Sequence, residues 1–238
     1  MQSAWKSFGA EHLKKSFFQK KFSRKRKVVL KDITFRITPG ECVGILGANG
    51  CGKSTLLSIL AGIQKADSGF LWYDDRQMDS KNTGNDYSRI GYVPQEPPLI
   101  PELTAYDNLK LWYCDSPLSL EEELQGEFLS ILGISDFLKV PVKKMSGGMK
   151  KRLAIGCCMA GNPGILLLDE PGAALDIPCK ERIETYLKAY KRKGNAILLT
   201  THEEREINLC DTLYILKNGI LTPYLYDGNI HHVAGAVL

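Results

Sequence analysis

Short apolar runs alternate along this chain with longer segments in which apolar residues recur on one face. The runs Cys42–Leu46, Ile165–Leu168 and Ala196–Leu199 are almost entirely apolar, as expected for strands buried on both faces of a sheet. From Val29 to Ile37 apolar and polar residues alternate instead, which predicts a half-exposed antiparallel strand. The stretch Leu213–Tyr226 also alternates and turns at an Asn-Gly pair, which predicts a terminal hairpin. The pattern therefore favours strands and helices in alternation.

The middle of the chain, from about residue 96 to about residue 144, interrupts this alternation because its patterns are helical. Thr104–Tyr113 and Ser119–Leu132 are predicted helices. The second opens on Ser119 with Glu122 three positions later, the order of a capping box. Its apolar residues fall on one stripe that we expect to be buried: Leu120, Leu124, Phe128, Ile131 and Leu132. We expect this region to be a helical subdomain.

Composition places the chain among ordinary globular proteins. Of its 238 residues 44% are hydrophobic and 24% are charged. No apolar run approaches the roughly 20 residues of a spanning helix, and no signal-peptide pattern follows Met1, so we expect a cytoplasmic protein. The seven cysteines lack metal-ligand spacing and are expected to be reduced and mostly buried. Pairing of Cys157 with Cys158 under oxidation is an alternative to simple packing.

Positive charge is concentrated near the start of the chain. Nine Lys or Arg residues and no acidic residue lie between Lys14 and Lys31, although the net charge of the whole chain is only +4. Such a segment is most often a solvated strand and turn. Contact with RNA or with anionic lipid is the open alternative.

The stretch Gly47–Thr55 carries the first chemical signal, because it fits G-x-x-x-x-G-K-S/T between an apolar run and a helical pattern. In such a loop backbone N–H groups and a helix N-terminus surround a polyphosphate. Lys53 is expected to reach the β- and γ-phosphates and Ser54 to hold Mg²⁺. The predicted ATP-binding residues here are Gly47, Asn49, Gly50, Cys51, Gly52, Lys53, Ser54 and Thr55.

Two further sequence patterns supply candidate residues for binding and hydrolysing a nucleotide: a pair of acids after an apolar run and a glycine-rich helix start. Asp169 ends a buried apolar run, where a hard oxygen ligand can approach the Mg²⁺ beside the phosphates. Glu170 follows and can polarise a water molecule for attack on the γ-phosphate; a structural acid capping the next turn is the alternative. Ser146-Gly147-Gly148 opens a helix and is a second candidate anion site.

Six motifs occur in order along the chain: Gly47–Thr55 (Walker A), Tyr92–Gln95 (Q-loop), Met145–Met149 (signature), Ile165–Glu170 (Walker B), Ala174–Asp176 (D-loop) and Thr201-His202 (switch histidine). With these motifs the chain strongly resembles the ATP-binding subunit of ABC transporters over nearly its whole length. The signature departs from the family pattern, because Met145 stands where leucine is usual. Methionine fills a similar volume, so we expect little effect.

The resemblance implies an α/β fold of the P-loop NTPase type, the ABC cassette. Its mixed sheet has a parallel RecA-like core, an N-terminal antiparallel β subdomain and an inserted helical subdomain. Residues 1–238 would form one ATP-binding domain. Its core would comprise residues 1–95 and 145–238, and the helical subdomain about 96–144.

The resemblance also assigns roles to residues. Two cassettes would enclose two ATP molecules, with Ser146, Gly147 and Gly148 of one facing the nucleotide held by the other and Asp176 at the interface. Glu170 is expected to be the general base and His202 to contact the γ-phosphate, and the expected catalytic residues are Lys53, Gln95, Glu170 and His202. The residues expected to approach Mg²⁺ are Ser54, Gln95 and Asp169.

The aromatic residue that stacks on adenine in this family lies upstream of the phosphate loop. Phe17 is our candidate. Phe18 and Phe22 compete with it, because the basic segment blurs the alignment.

The function implied is ATP hydrolysis that powers a separately encoded membrane permease, with ATP and Mg²⁺ bound and with a second cassette, identical or closely related, as partner. The cassette would lie on the cytoplasmic face of the membrane through the permease. Pro101–Leu109 resembles the corresponding segment of stand-alone exporter cassettes, which favours export. The alternative is a soluble ABC ATPase acting on nucleic acid or the ribosome, or in iron–sulfur assembly. Nucleic acid is the less favoured partner, and a sensor that does not hydrolyse ATP is disfavoured because Glu170 and His202 are both present.

Overall fold

One mixed β-sheet runs through the computed structural model, which describes residues 5–18, 26–74, 76–78, 87 and 89–237. Its strands in the described residues are β1 (Phe8–Phe18), β2 (Arg26–Ile37), β3 (Cys42–Leu46), β4 (Ser68–Tyr73), β5 (Arg76–Met78), β6 (Ile90–Val93), β7 (Ile165–Asp169), β8 (Ala196–Thr200), β9 (Thr212–Lys217) and β10 (Ile220–Tyr224). Their order across the sheet is β5-β4-β1-β2-β10-β9-β3-β8-β7-β6.

The strands predicted to be buried form the parallel part of the sheet. β6, β7, β8, β3 and β9 pair in parallel, and every residue of β3, β7 and β8 is buried. Asp169 lies opposite Thr200, which in turn lies opposite Ile45. The ends of three neighbouring strands therefore meet at one edge, where the loops after them can share a site.

The antiparallel part consists of β1, β2, β4 and β5. β2 covers the strand predicted from Val29 to Ile37, but β1 was not predicted. Its buried residues are Phe8, Gly9, Ala10 and Leu13, and the pairing register shifts between Ala10 and Leu13, where His12 has φ 51°. The shift interrupts the alternation of buried and exposed side chains from which a strand is predicted.

The predicted terminal hairpin is formed by β9 and β10, which pair antiparallel on either side of Asn218 and Gly219. Both turn residues have positive φ, at 53° and 78°, as a two-residue hairpin turn of this type requires. A Cβ at Gly219 would lie 2.9 Å from the carbonyl oxygen of Val29, so this turn packs directly on β2.

Helices cover both faces of the parallel strands. In the described residues they are α1 (Lys53–Leu60), α2 (Ala105–Tyr113), α3 (Leu120–Gln125), α4 (Glu127–Ile131), α5 (Gly147–Cys158), α6 (Ile177–Arg192), α7 (Glu204–Ile207) and α8 (Ile230–Val237). Alternate residues of one strand face different cores: Leu166 and Leu168 pack with α5 and α6, whereas Ile165 and Leu167 pack with α1. The fold is the predicted α/β cassette fold. None of the helices in these ranges combines the length and the apolarity of a membrane-spanning helix.

The helical subdomain proposed for about residues 96–144 contains α2, α3 and α4. The single helix predicted from Ser119 to Leu132 is divided at Gly126, which has an extended backbone. Because the break reorients α4, Leu129 is buried although it lies outside the predicted stripe. Ser119 accepts a hydrogen bond from the backbone of Glu122, and a complete capping box forms at Thr104, the N-cap of α2.

The basic segment between Lys14 and Lys31 is described at its two ends, in β1 and β2. Residues 19–25, which include Phe22, lie outside the described residues. Phe17 lies in β1 opposite Lys27, and the Lys15 amine is 5.2 Å from the centre of its ring. The role of Phe17 in adenine binding stays a prediction.

Candidate functional site

Loops at the carboxyl ends of the parallel strands bring four predicted catalytic residues together. Lys53 follows β3, Gln95 follows β6, Glu170 follows β7 and His202 follows β8. These strands are neighbours in the sheet, so their loops share one edge, the usual position of a ligand site in a parallel α/β sheet.

The phosphate loop has the backbone that its glycines predict. Gly50 and Gly52 have φ values of 75° and 116°, which residues with side chains rarely adopt. A Cβ at Gly52 would also lie 2.8 Å from Cγ1 of Val29. Lys53 begins α1, so the N–H groups of Lys53, Ser54 and Thr55 lie in the first turn of a helix. The loop can therefore surround an anion with backbone donors.

The Lys53 amine is the centre of the charged cluster. It is buried and donates a hydrogen bond to the carbonyl oxygen of Gly47 at 2.7 Å. It also lies 3.0 Å from Nε2 of His202 and 3.6 Å from Oε1 of Glu170. Partial burial, together with the positive charge of Lys53, lowers the pKa of His202. The lowered pKa favours the neutral imidazole, in which Nε2 can accept a hydrogen bond from the amine.

Glu170 is held in an unusual backbone conformation with its carboxylate between two partners. Its φ is 47°, a strained value for a residue with a side chain. The amide of Gln95 donates to Oε2 at 3.3 Å, and Nε2 of His202 lies 3.8 Å from Oε1. The structure thus brings Lys53, Gln95 and His202 together around the carboxylate of Glu170.

Thr200, for which no role was predicted, fixes both acidic residues. Its hydroxyl donates to Oδ1 of Asp169 at 2.6 Å and accepts from the backbone N–H of Glu170 at 3.1 Å. The sequence signal that could have revealed this role is a threonine at the end of one apolar run and an acid at the end of another. The two residues lie opposite each other when the two runs pair as neighbouring strands. The two bonds fix the carboxylate of Asp169 and the backbone of Glu170 relative to the end of β8.

Lys151 is a second residue without a predicted role. Its buried amine donates to the carbonyl oxygens of Pro94 and Gln95, both at 3.2 Å, and of Asp169 at 3.4 Å. Burial lowers the pKa of this amine. In the sequence its signal is a helical lysine with no acid three or four positions away. Lys151 joins α5 to the Q-loop and to the end of β7.

The signature and D-loop residues lie beside each other. Ser146 is the N-cap of α5 and accepts from the N–H of Met149 at 3.2 Å. Asp176 is the N-cap of α6 and accepts from the N–H of Cys179 at 2.9 Å. A Cβ at Gly148 would lie 2.7 Å from the sulfur of Cys179, so the glycine permits close packing of these two helix starts. The described contacts of Ser146 and Asp176 are local and do not reach Gly47–Thr55.

The carboxyl group of Glu206, four residues after His202, is partly buried. Glu206, in α7, accepts a hydrogen bond from the hydroxyl of Thr201. Burial raises the pKa of Glu206 to about 7; the bond from Thr201 opposes this rise and the nearby Glu203 adds to it. The residue spacing alone gave no sign of this group, because its partners follow from the fold.

The raised pKa of Glu206 predicts a pH-dependent stability. The folded protein holds this proton more tightly than the unfolded chain does, so the contribution is complete below the ordinary carboxyl pKa of 4.5 and is lost as the pH rises through about 7. Between about pH 4.5 and about pH 8 we expect wild type to lose about 3 kcal/mol more unfolding free energy than Glu206→Gln. Urea denaturation across this range measures it. Parallel curves for the two proteins would contradict the titration.

Comparison with known proteins places this site in a family. The family model described as ABC transporter matches residues 30–173, a range that contains the phosphate loop, the signature and Glu170. The chain belongs to the ABC transporter family. It is an ATP-binding cassette, and cassettes of this family hydrolyse ATP.

The cassette is similar to three bacterial transport proteins. It is 33% identical over 213 residues to the linearmycin resistance ATP-binding protein LnrL of Bacillus subtilis, and covers 66% of that protein with 88% of its own length. It is 31% identical to the lantibiotic transport ATP-binding protein SrtF of Streptococcus pyogenes, covering 91% of it with 92% of the chain. It is 36% identical to the Nod factor export ATP-binding protein I of Bradyrhizobium diazoefficiens, covering 64% of it with 81% of the chain.

A solved structure supports the same placement. The dimeric, post-hydrolysis structure of the cassette MJ0796 with ADP and Pi superposes with a TM-score of 0.78 at 28% identity, covering 91% of this chain and 97% of that one. The likeness extends over almost the whole cassette, so the predicted fold class is confirmed.

Proposed function

We propose that this cassette hydrolyses ATP in a closed cassette dimer and so powers export through a separately encoded permease. The observation that carries the proposal is the meeting of Lys53, Gln95, Glu170 and His202 at the ends of parallel strands. Membership of the ABC transporter family and the functions of the relatives described above support the proposal. The permease would hold the cassette on the cytoplasmic face of the membrane.

The residues present fit ATP and Mg²⁺. The open backbone at Gly50, where a Cβ would meet nothing within 4 Å, and the start of α1 suit a polyphosphate. Oxygen atoms of Ser54, Asp169 and Gln95 would hold Mg²⁺, which prefers such hard ligands. When bound, the ion would neutralise charge that develops on the phosphates.

The proton transfer belongs to Glu170 in this proposal. Its carboxylate would take the proton of the attacking water, since it is the acid placed beside the Lys53 amine at the end of β7. Neutral His202 would accept a hydrogen bond at Nε2 or, through Nδ1–H, donate one, and so orient the groups around the γ-phosphate. Gln95 would fix the carboxylate through its amide.

The second half of each site would come from a partner cassette. Ser146 and Gly147 are exposed at the start of the 12-residue helix α5, which suits contact with another chain's nucleotide. Asp176 lies beside them. The dimeric relative MJ0796 supports this arrangement. Phe17, exposed in β1, remains our candidate for the adenine contact.

Export is favoured over import by the relatives, which include a Nod factor export protein and a linearmycin resistance protein. The competing function is a soluble ABC ATPase that acts on RNA or the ribosome. The observation in its favour is the basic segment between Lys14 and Lys31.

The experiment that separates these functions is purification of the tagged native chain from detergent-solubilised membranes, followed by mass spectrometry of its partners. We expect a membrane-spanning permease to co-purify in stoichiometric amount and to resist high salt. Recovery of ribosomal proteins or RNA in its place, lost when Arg26 and Lys27 become Ala, would overturn the transport proposal.

A further inference from the structure

A single carboxyl group joins the two loops that carry Glu170 and His202. The hydroxyl of Thr201 donates a hydrogen bond to Oε2 of Glu206, and the other carboxyl oxygen, Oε1, packs against the backbone of Gly172. Thr201 directly precedes His202, and only Pro171 separates Gly172 from Glu170. The side chain in α7 therefore ties the loop after β8 to the loop after β7.

The fit around this carboxyl is close. A Cβ at Gly172 would lie 2.5 Å from Oε1 of Glu206, so the carboxyl and the Gly172 backbone are in close contact and a larger residue here would displace the carboxyl. Thr201 is buried, and its hydroxyl also accepts from the backbone N–H of Glu203 at 2.9 Å. The hydroxyl is thus used as donor and as acceptor, and its orientation is determined.

Packing alone does not account for a carboxyl here. An apolar side chain would fill the same space without the cost of removing a carboxyl from water. What a carboxyl adds is a directional acceptor for the Thr201 hydroxyl, with its second oxygen against the backbone of Gly172. Nε2 of His202 lies 3.0 Å from the Lys53 amine. The histidine therefore has this catalytic contact in addition to the support that Glu206 gives to its loop through Thr201.

We propose that Glu206 is a positioning residue for ATP hydrolysis, which holds the His202 loop and the segment after Glu170 at a fixed separation. The proposal rests on the roles proposed above for Glu170 and His202. Glu206 touches neither reacting group and acts through Thr201 and Gly172. Loss of the bond from Thr201 or of the contact with Gly172 frees one loop relative to the other, while the phosphate loop keeps its own contacts.

The experiment compares Glu206→Gln, Thr201→Val and Thr201→Ser in steady-state ATPase assays and in equilibrium ATP binding. Glutamine keeps the size of glutamate but replaces one acceptor oxygen with an amide N–H₂ group, and valine keeps the shape of threonine without the hydroxyl. We expect each to lower kcat about tenfold, the size of effect that a lost hydrogen bond can have, with KM and Kd for ATP changed less than about twofold. Thr201→Ser should restore kcat, and the double variant Thr201→Val/Glu206→Gln should be no slower than the worse single variant.

Two results would overturn the proposal. One is unchanged kcat in both Glu206→Gln and Thr201→Val, with circular dichroism showing folded protein. The other is a rise in KM and Kd as large as the fall in kcat, which a general loss of structure would cause. Glu170→Gln is assayed in parallel. If that variant turns over normally, the proposed function of Glu170 fails; if it is inactive while Glu206→Gln and Thr201→Val are both fully active, only the positioning role fails.

Discussion

Glu170→Gln is expected to lower ATP turnover by about 100-fold or more, because it removes the only proton acceptor we assign to the attacking water. ATP binding should persist. Glutamine has the same shape, and Lys53 keeps its bond to the carbonyl oxygen of Gly47 and its contact with His202. With ATP bound and not consumed, two cassettes should stay closed around it. Size-exclusion chromatography with ATP and Mg²⁺ should then show a dimer.

The matched control for this variant is Glu181→Gln on α6. Glu181 is exposed and 3.5 Å from Arg205, and a surface ion pair of this kind contributes little to stability. It loses the same charge outside the site, so its turnover should equal that of wild type. Undiminished turnover in Glu170→Gln would remove Glu170 as the general base and require another acceptor.

Ser146→Arg is expected to abolish hydrolysis while ATP binding by the monomer is unchanged. The serine is exposed at the N-cap of α5, where a partner's phosphates would approach the N–H groups, and a long cation in its place would block that approach. Loss of such donors lowers turnover by about 100-fold or more. Steady-state assays measure the loss, and nucleotide binding by the isolated monomer shows that the chain's own phosphate loop is intact.

Mixing chains tests whether the signature acts on the partner. A dimer of one Ser146→Arg chain and one Lys53→Ala chain contains one site with both residues intact if the signature works across the interface. An equal mixture of these inactive chains should then regain about a quarter of wild-type turnover, if the two chains associate at random and the sites are independent. No recovery would place the signature in its own chain's site. Ser119→Arg, at the exposed N-cap of α3, controls for the lost cap and should be active.

Local chemistry explains why much of this site could be predicted. The Gly47–Thr55 loop needs particular residue types at fixed spacing, so its backbone and its position after a buried strand follow from a few neighbouring residues. The acids at 169 and 170 were placed by the apolar run before them. The strands β3, β7 and β8 were predictable because burial on both faces leaves a continuous apolar run.

Features that depend on distant parts of the chain were not predictable in this way. β1 was hidden by the register shift near His12, which moves the buried positions out of alternation. Thr200 and Lys151 each depend on partners that only the folded sheet brings near, and Glu206, although bonded to the nearby Thr201, packs against Gly172 of another loop. The left-handed backbone of Glu170 is likewise imposed by its surroundings, since a glutamate does not favour it.

The amine of Lys151 couples the Q-loop to α5, so we expect these two parts of the cassette to move together. Its three acceptors are carbonyl oxygens of Pro94, Gln95 and Asp169. If the Q-loop moved away while α5 stayed in place, a buried ammonium would lose acceptors at a large free-energy cost. A push from a permease on the segment around Gln95 would therefore be transmitted to α5, and would displace Ser146 at its start. Force applied at one motif would change how well the other meets the partner's ATP.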